Sequence, residues 1–95
     1  MTKNILLEIA CFSFESALLA EQSSADRIEL CENYSEGGIT PSVELIQKVK
    51  SQIKIPVHAM IRPRGGNFIY SDAEFEDMKK SIQQCKYLRV DGIVF

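Results

Sequence analysis

The chain has 95 residues, of which 45% are hydrophobic and 25% charged, with a net charge of -2. This length fits one domain at most, and a charge near zero without a long run of one sign excludes an extended nucleic-acid-binding surface. No apolar stretch approaches the roughly 20 residues that cross a bilayer, and the N-terminus shows no signal-peptide pattern, so no membrane partner is expected. Three cysteines without short paired spacing predict a reducing cytoplasm.

The first half of the chain predicts two strands, each followed by a helix. The apolar run Ile5–Cys11 is long enough for a buried strand, and a serine N-cap starts a helix over about 13–24. Arg27–Cys31 is the second predicted strand. Thr40–Pro41 is typical of an N-cap followed by a proline in the first helical position, which predicts a helix over about 40–52.

The second half continues the same alternation. Val57–Arg62 predicts a third strand, which Pro63 ends because proline has no N–H to donate. A capping-box pattern at Ser71–Glu74 opens a helix that reaches about Leu88, and Asp91–Phe95 begins a fourth strand. Strands and helices that alternate with short connections indicate parallel strands joined by right-handed crossovers.

The fold class is therefore α/β, and two architectures are compatible with it. An open sheet covered by helices on both faces needs strands that are apolar on both faces. Here one face is polar in three of the four strands, which favours a barrel with a polar lumen. We predict the N-terminal half of a TIM (β/α)8 barrel, about four strands and three helices. Because such a barrel takes about 250 residues, residues 1–95 are expected to form a single partial domain, either a fragment or truncated product or one of two copies that assemble.

Alternation along the strands predicts a cluster of polar side chains. Glu8, Glu29, His58 and Arg62 fall on the face opposite the apolar residues, so they converge on the predicted lumen. Glu8, Glu29 and His58 are candidate acid and base groups of a catalytic site, with Arg62 or His58 as the partner that a buried carboxylate needs. A salt-bridged network that only fills the barrel explains the same pattern.

The loop after the third strand is a candidate anion-binding site. Arg62, Arg64, Gly65 and Gly66 bring guanidinium groups and backbone N–H groups to one place, as phosphate-binding loops do. A tight turn in which glycine supplies a positive φ is the alternative.

The cysteines suggest a second kind of site. Cys11 and Cys31 end neighbouring strands, and two thiolates there favour a soft ion such as Cu(I). Alternation puts Cys11 on the helix side and Cys31 on the lumen side, so joint ligation requires Cys11 to lie beyond the regular strand. The alternative is that both are small buried hydrophobic residues, as Cys85 is on its helix. Met60 is either a thioether ligand or a packing residue.

Segments over most of the chain carry a family pattern, in which Met60–Gly66 is the most specific. The chain resembles the CutC copper homeostasis family. The resemblance implies a (β/α)8 barrel, a cytoplasmic location and Cu(I) handling, with Cys11 and Cys31 as the ligands. The segments that carry it are Glu8–Cys11, Ala25–Cys31, Ser35–Ser42, Ile55–Gly66, Phe68–Asp72 and Asp91–Phe95.

The sequence departs from that family at two turns. Family members usually carry glycine before the second and fourth strands, where this chain has Ser23–Ser24 and Arg89. Glycine there would supply a left-handed helix cap, so strained or reshaped turns are expected. The strand entrances Ala25–Leu30 and Val90–Phe95 share an apolar residue, an Asp and an Ile at the same spacing, which fits one structural unit used twice.

Two functions follow. The first is a cytoplasmic copper homeostasis protein that binds Cu(I). The alternative is a TIM-barrel enzyme that uses acid/base chemistry on a small anionic or phosphorylated substrate. The partner is accordingly a copper ion or a small anion.

Overall fold

Four strands alternate with three helices in the computed structural model, which describes residues 5–95. The strands form one parallel sheet in the order β1-β2-β3-β4. The predicted α/β alternation and strand direction are confirmed. The elements are β1 Glu8–Cys11, α1 Phe14–Gln22, β2 Arg27–Leu30, α2 Val43–Gln52, β3 Val57–Met60, α3 Asp72–Tyr87 and β4 Gly92–Val94, with a 3-10 turn over Tyr34–Glu36.

The core lies on one face of the sheet. Sequential strand order with right-handed crossovers puts all three helices on the same side. Ile28, Val57 and Ala59 of the strands are fully buried there, together with Ala17 of α1 and Val49 of α2. Because the other face is only half-buried, a sheet covered by helices on both sides is excluded for the described residues.

Serine side chains begin all three helices. Ser13 and Ser71 are the N-caps of α1 and α3, and the capping box of Ser71 and Glu74 is present, as the sequence predicts. A second capping box, between Ser13 and Ser16, was not predicted. The prediction for α2 is wrong: its N-cap is Ser42, which accepts from the Leu45 N–H. Thr40 is not available as a cap because its hydroxyl accepts from the Arg62 N–H at 2.8 Å and donates to the Arg62 carbonyl at 3.1 Å.

The apolar residues before β1 and one apolar residue of α3 lie further from the core than the sequence predicts. Ile5, Leu6 and Leu7 are 79%, 67% and 48% exposed, and β1 begins only at Glu8. Phe75 of α3 is also more than half exposed, whereas Met78 and Cys85 on the same helix are buried. Hydrophobicity alone does not show which apolar residues find a neighbouring surface.

The same backbone unit leads into β2 and β4. The Asp26 carboxylate accepts from the Leu7 N–H at 2.6 Å, and the Asp91 carboxylate accepts from the Val57 N–H at 2.8 Å. The backbone N–H of each aspartate donates in turn to the carbonyl of the same residue, at 2.9 and 2.8 Å. The repeated strand entrance that the sequence suggested is therefore a real structural repeat. The unit connects the start of β2 to the residue before β1, and the start of β4 to the first residue of β3.

The carboxyl group of Asp91 has a lowered pKa. Burial acts to raise the pKa, but the Val57 hydrogen bond and the charges of Lys50 and His58 outweigh burial. A lowered pKa means that the stabilisation is present above the ordinary carboxyl pKa, near 4, and is lost as the pH falls through the lowered value. The strand entrance is therefore intact at neutral pH.

The turns before β2 and β4 each contain a residue with a left-handed backbone, at the positions where family members usually carry glycine. Ser24 has φ 69° and Arg89 has φ 62°. A residue with a Cβ in this region costs about 1 kcal/mol relative to glycine. These two positions are where the sequence departs from the family pattern, and both adopt the left-handed conformation that glycine would supply.

Replacing either residue with glycine is expected to stabilise the fold. Ser24→Gly and Arg89→Gly should each raise the free energy of unfolding by about 0.5–1 kcal/mol in urea titrations. Ser23→Gly is the matched control, because Ser23 has an ordinary φ of -91° and should lose stability instead. Equal losses for Ser23→Gly and Ser24→Gly would contradict the strain argument.

Candidate functional site

Cys11 and Cys31 lie at the C-terminal ends of neighbouring strands, where β/α proteins hold their ligands. The Cys31 N–H donates to the Cys11 carbonyl oxygen over 2.9 Å, and both side chains are buried. Cys11 is the last residue of β1, whereas Cys31 follows the end of β2. The sequence argument required Cys11 to lie beyond its strand; the structure places Cys31 there instead.

The two thiols have different surroundings. Cys11 belongs to the core between sheet and helices, and its S–H donates to the Ile9 carbonyl oxygen at 3.5 Å. Cys31 lies outside that core cluster, and its S–H contacts the carbonyl and a carboxylate oxygen of Glu29 at 3.8 and 3.7 Å. The contact with Glu29 places the Cys31 thiol on the lumen side, as alternation predicts.

Burial raises the pKa of both thiols. At Cys11 a hydrogen bond with Ser16 offsets part of that effect on the pKa. At Cys31 burial, then Glu29, then the charge of Cys11 act in the same direction and raise the pKa to about 12. Because thiol ligands bind as thiolates, a cation held here must displace protons.

The three candidate acid and base residues share the lumen face, which confirms that part of the prediction. The strand register pairs Glu29 with Ala10 on one side and with His58 on the other. The His58 ring packs against Gly92 of β4, where an added Cβ would lie 2.9 Å from the ring. Glu8 is exposed, and Glu29 and His58 are half-buried. Their catalytic role stays a prediction.

The partner of Glu8 differs from the prediction. Its carboxylate forms an ion pair with Arg27 at 2.5 Å, rather than with Arg62 or His58. The register of β1 and β2 puts Arg27 directly opposite Glu8. The sequence argument missed Arg27, although alternation along β2 already places it on the polar face. Both side chains are about one-third exposed, so the pair contributes no more than about 1 kcal/mol.

The Arg62 guanidinium joins two loops. Its Nη1 donates to the carbonyl oxygens of Glu36 at 2.9 Å and Gly38 at 3.2 Å, and its Nη2 donates to that of Gly66 at 2.9 Å. The group also lies over the Phe68 ring, 4.9 Å from its centre. Its Nε is buried and has no hydrogen-bond partner within residues 5–95. Most of the N–H groups of the Arg62 guanidinium therefore donate to backbone carbonyl oxygens of the protein.

Arg64 is engaged in the same way within its own loop. It donates to the Glu74 carboxylate and to carbonyl oxygens of the loop, including Ile69 at 2.7 Å. Gly66 has φ 86°, and an added Cβ at Gly65 would overlap a carboxylate oxygen of Glu36. The tight-turn interpretation explains Gly66, and close packing against Glu36 explains Gly65. Anion binding by this loop stays a prediction that requires these contacts to open.

None of the helices in residues 5–95 has the length and apolar character that crossing a bilayer requires. Over the same part of the chain, no three His, Cys, Asp or Glu side chains form a group that could hold a metal ion.

Comparison with known proteins decides the family. The profile of the CutC family matches residues 5–95. The chain belongs to the CutC family. A human relative named copper homeostasis protein cutC homolog is 54% identical over 90 residues, which make up 95% of this chain and 33% of the human protein.

Two other CutC relatives agree. A family protein CutC of Proteus mirabilis is 52% identical over 88 residues, which are 93% of this chain and 35% of that protein. A crystal structure from Streptococcus agalactiae that carries the CutC name matches with a TM-score of 0.89 and 35% identity, over 96% of this chain and 45% of that one. The chain thus spans about a third of the length of the human and Proteus mirabilis relatives. The solved relative is a TIM barrel, which confirms the predicted barrel units.

In this CutC chain, aromatic rings cover the thiol end of the sheet. The Phe12 ring meets the Tyr34 ring edge-on, with 5.2 Å between centres. Gly38 packs so closely that an added Cβ would lie 3.1 Å from Phe12 and 3.4 Å from the Cys31 side chain. The contact of these two rings near the thiols was not predicted. The indication for it in the sequence is that Phe12 directly follows Cys11.

Proposed function

We propose that this chain takes part in copper homeostasis by binding Cu(I) through Cys11 and Cys31. The observation that carries the proposal is that two buried thiols end neighbouring strands and are joined by a 2.9 Å backbone hydrogen bond. The human relative named as a copper homeostasis protein supports it. Enzymatic chemistry on a small anion has no comparable support, because Arg62 and Arg64 are engaged with protein acceptors.

The donor chemistry suits this ion. Thiolates are soft ligands that select Cu(I) over hard cations such as Mg²⁺ and Ca²⁺. Burial of both sulfur atoms keeps water and oxidants from a bound ion, and each thiol must release its proton when the ion binds. The role of the protein is then to hold or pass on copper, with no change in the oxidation state of the metal.

The three cysteines are free, and a reducing compartment keeps such thiols available for metal binding. We therefore place the protein in the cytoplasm. In that compartment Cu(I) is also the oxidation state that a thiolate pair would encounter.

Anaerobic titration with a competing Cu(I) chelator tests the proposal. The Cys11→Ala, Cys31→Ala double variant should bind Cu(I) about 100-fold more weakly than the parent or not at all, since even indirect partners of a metal are worth 10–100-fold. Cys85→Ala is the matched control, because Cys85 is equally buried but lies on α3. The proposal fails if the double variant retains the parent affinity.

A further inference from the structure

We propose that the thioether of Met60 is a further Cu(I) ligand, which acts with the Cys31 thiolate on the lumen face of the sheet. The inference rests on the proposed function, because it adds a donor to the same copper site. It adds a sulfur donor of a different kind from the His, Cys, Asp and Glu side chains that more often bind metals. Thioethers are soft donors like thiolates, and they also favour Cu(I).

The strand register, continued by one residue, places the two sulfur-containing residues side by side. β2 and β3 pair Glu29 with His58 and then Leu30 with Ala59. The next residue of β3 is Met60, and the residue that directly follows the end of β2 is Cys31. Neighbouring parallel strands lie about 4.8 Å apart, so residues at one register position on the same face are side by side.

Both side chains belong to the lumen face. Cys31 follows Glu29 by two residues and contacts its carboxylate at 3.7 Å. Met60 follows His58 by two residues and is half-buried, whereas its neighbours Ala59 and Ile61 are fully buried on the helix side. The pair therefore offers one enclosed thiol and one accessible thioether.

Met60 also lines a cavity at the C-terminal end of β3. The cavity has a volume of about 560 Å³ and is bordered by Arg62, Phe68, Tyr70 and Val94. This size and mostly apolar wall are typical of ligand sites. The cavity gives a copper ion an approach to Met60, while Cys31 is fully buried.

The two donors bind the incoming Cu(I) ion one after the other. The Met60 sulfur is neutral and forms its bond to Cu(I) without losing a proton, as one ligand of the copper carrier leaves. The Cys31 S–H bond then breaks as the sulfur binds Cu(I), its proton passes to solvent, and a second carrier ligand departs. Copper stays Cu(I) throughout, so no oxidant or reductant is needed. Met60 is thus the entry ligand and Cys31 the retaining ligand.

Met60→Leu tests the inference, because leucine keeps the volume and removes the sulfur. The Cu(I) affinity measured against a competing chelator should fall by about tenfold, the lower limit for a supporting partner. Cys85→Ala is the control, since it removes a buried sulfur atom of α3 that does not line the cavity. In the parent protein labelled with ¹³C at the methionine methyl groups, addition of Cu(I) should shift the Met60 signal, which Met60→Leu identifies by its absence.

The outcomes separate this inference from the proposed function. If the Cys11→Ala, Cys31→Ala variant retains the parent affinity, the proposed function fails. If that variant loses Cu(I) while Met60→Leu binds normally and the Met60 methyl signal does not move, only the Met60 inference is overturned. The methyl signal is read in the parent chain, so the result does not depend on whether Met60→Leu folds.

Discussion

The Cu(I) affinity of this chain should rise by about 100-fold for each pH unit between about pH 6 and pH 8. Both Cys11 and Cys31 have pKa values raised by burial, and that of Cys31 reaches about 12. Both thiols are therefore protonated throughout this range, and each must release one proton to bind the metal. One proton released per ligand gives one factor of ten per pH unit, and two ligands give two.

The sign follows from competition between protons and copper. A raised pKa means that the proton is held more tightly, so acid opposes Cu(I) binding and alkali favours it until the pH reaches the thiol pKa. The stabilisation that Asp91 and Glu74 contribute does not change in this range, because a lowered carboxyl pKa means that it is lost only below about pH 4. The pH dependence thus reports on the thiols.

Chelator competition at several pH values, corrected for the protonation of the chelator, measures this slope. Cys11→Ala should reduce the dependence to about tenfold per pH unit, because one titrating ligand remains. Cys85→Ala should keep the parent slope. A parent affinity that is constant over the range would show that protonated thiols are not the groups that copper displaces.

Arg62→Met should destabilise the fold by about 3 kcal/mol, the second large effect that the structure predicts. The guanidinium donates to the carbonyl oxygens of Glu36, Gly38 and Gly66, which belong to the loops after β2 and β3. Hydrogen bonds from a charged donor contribute about 1.5–3 kcal/mol each when buried. Part of this network faces solvent, which reduces the sum. Urea unfolding of parent and variant measures the difference.

Two further variants are controls for the stability loss of Arg62→Met. Lys54→Met removes an exposed positive charge and should change the free energy of unfolding by less than about 0.5 kcal/mol. Arg62→Lys keeps the charge but loses the planar arrangement of donors, so it should recover only part of the lost stability. If Arg62 serves mainly to hold an anion, Arg62→Met would instead abolish phosphate binding and leave the unfolding free energy unchanged.

Local periodicity was enough to predict which residues share a face. Side chains alternate along a strand for a purely local reason, so Glu29, His58 and Met60 could be assigned to the lumen and Ile28 and Ala59 to the helix side without a structure. The same holds for the capping box of α3, which depends on neighbouring residues in the chain. The family resemblance then extended these local units to a barrel.

Pairing between distant segments could not be predicted in this way. The sequence offered Arg62 and His58 as partners of Glu8, but the register of β1 and β2 supplied Arg27 instead. Thr40 looked like a helix cap until the approach of the third strand engaged its hydroxyl with the Arg62 backbone. Each case depends on how two segments 19 or more residues apart are aligned.

The sequence by itself determined the alternation of strands and helices, the polar face and the family, because these depend on local spacing and residue type. The tertiary structure alone decided that Cys31 rather than Cys11 lies beyond its strand, and that Glu29 and His58 occupy one register position. Strand register is set by how the connecting helices pack against the sheet. No local pattern in the chain encodes that packing.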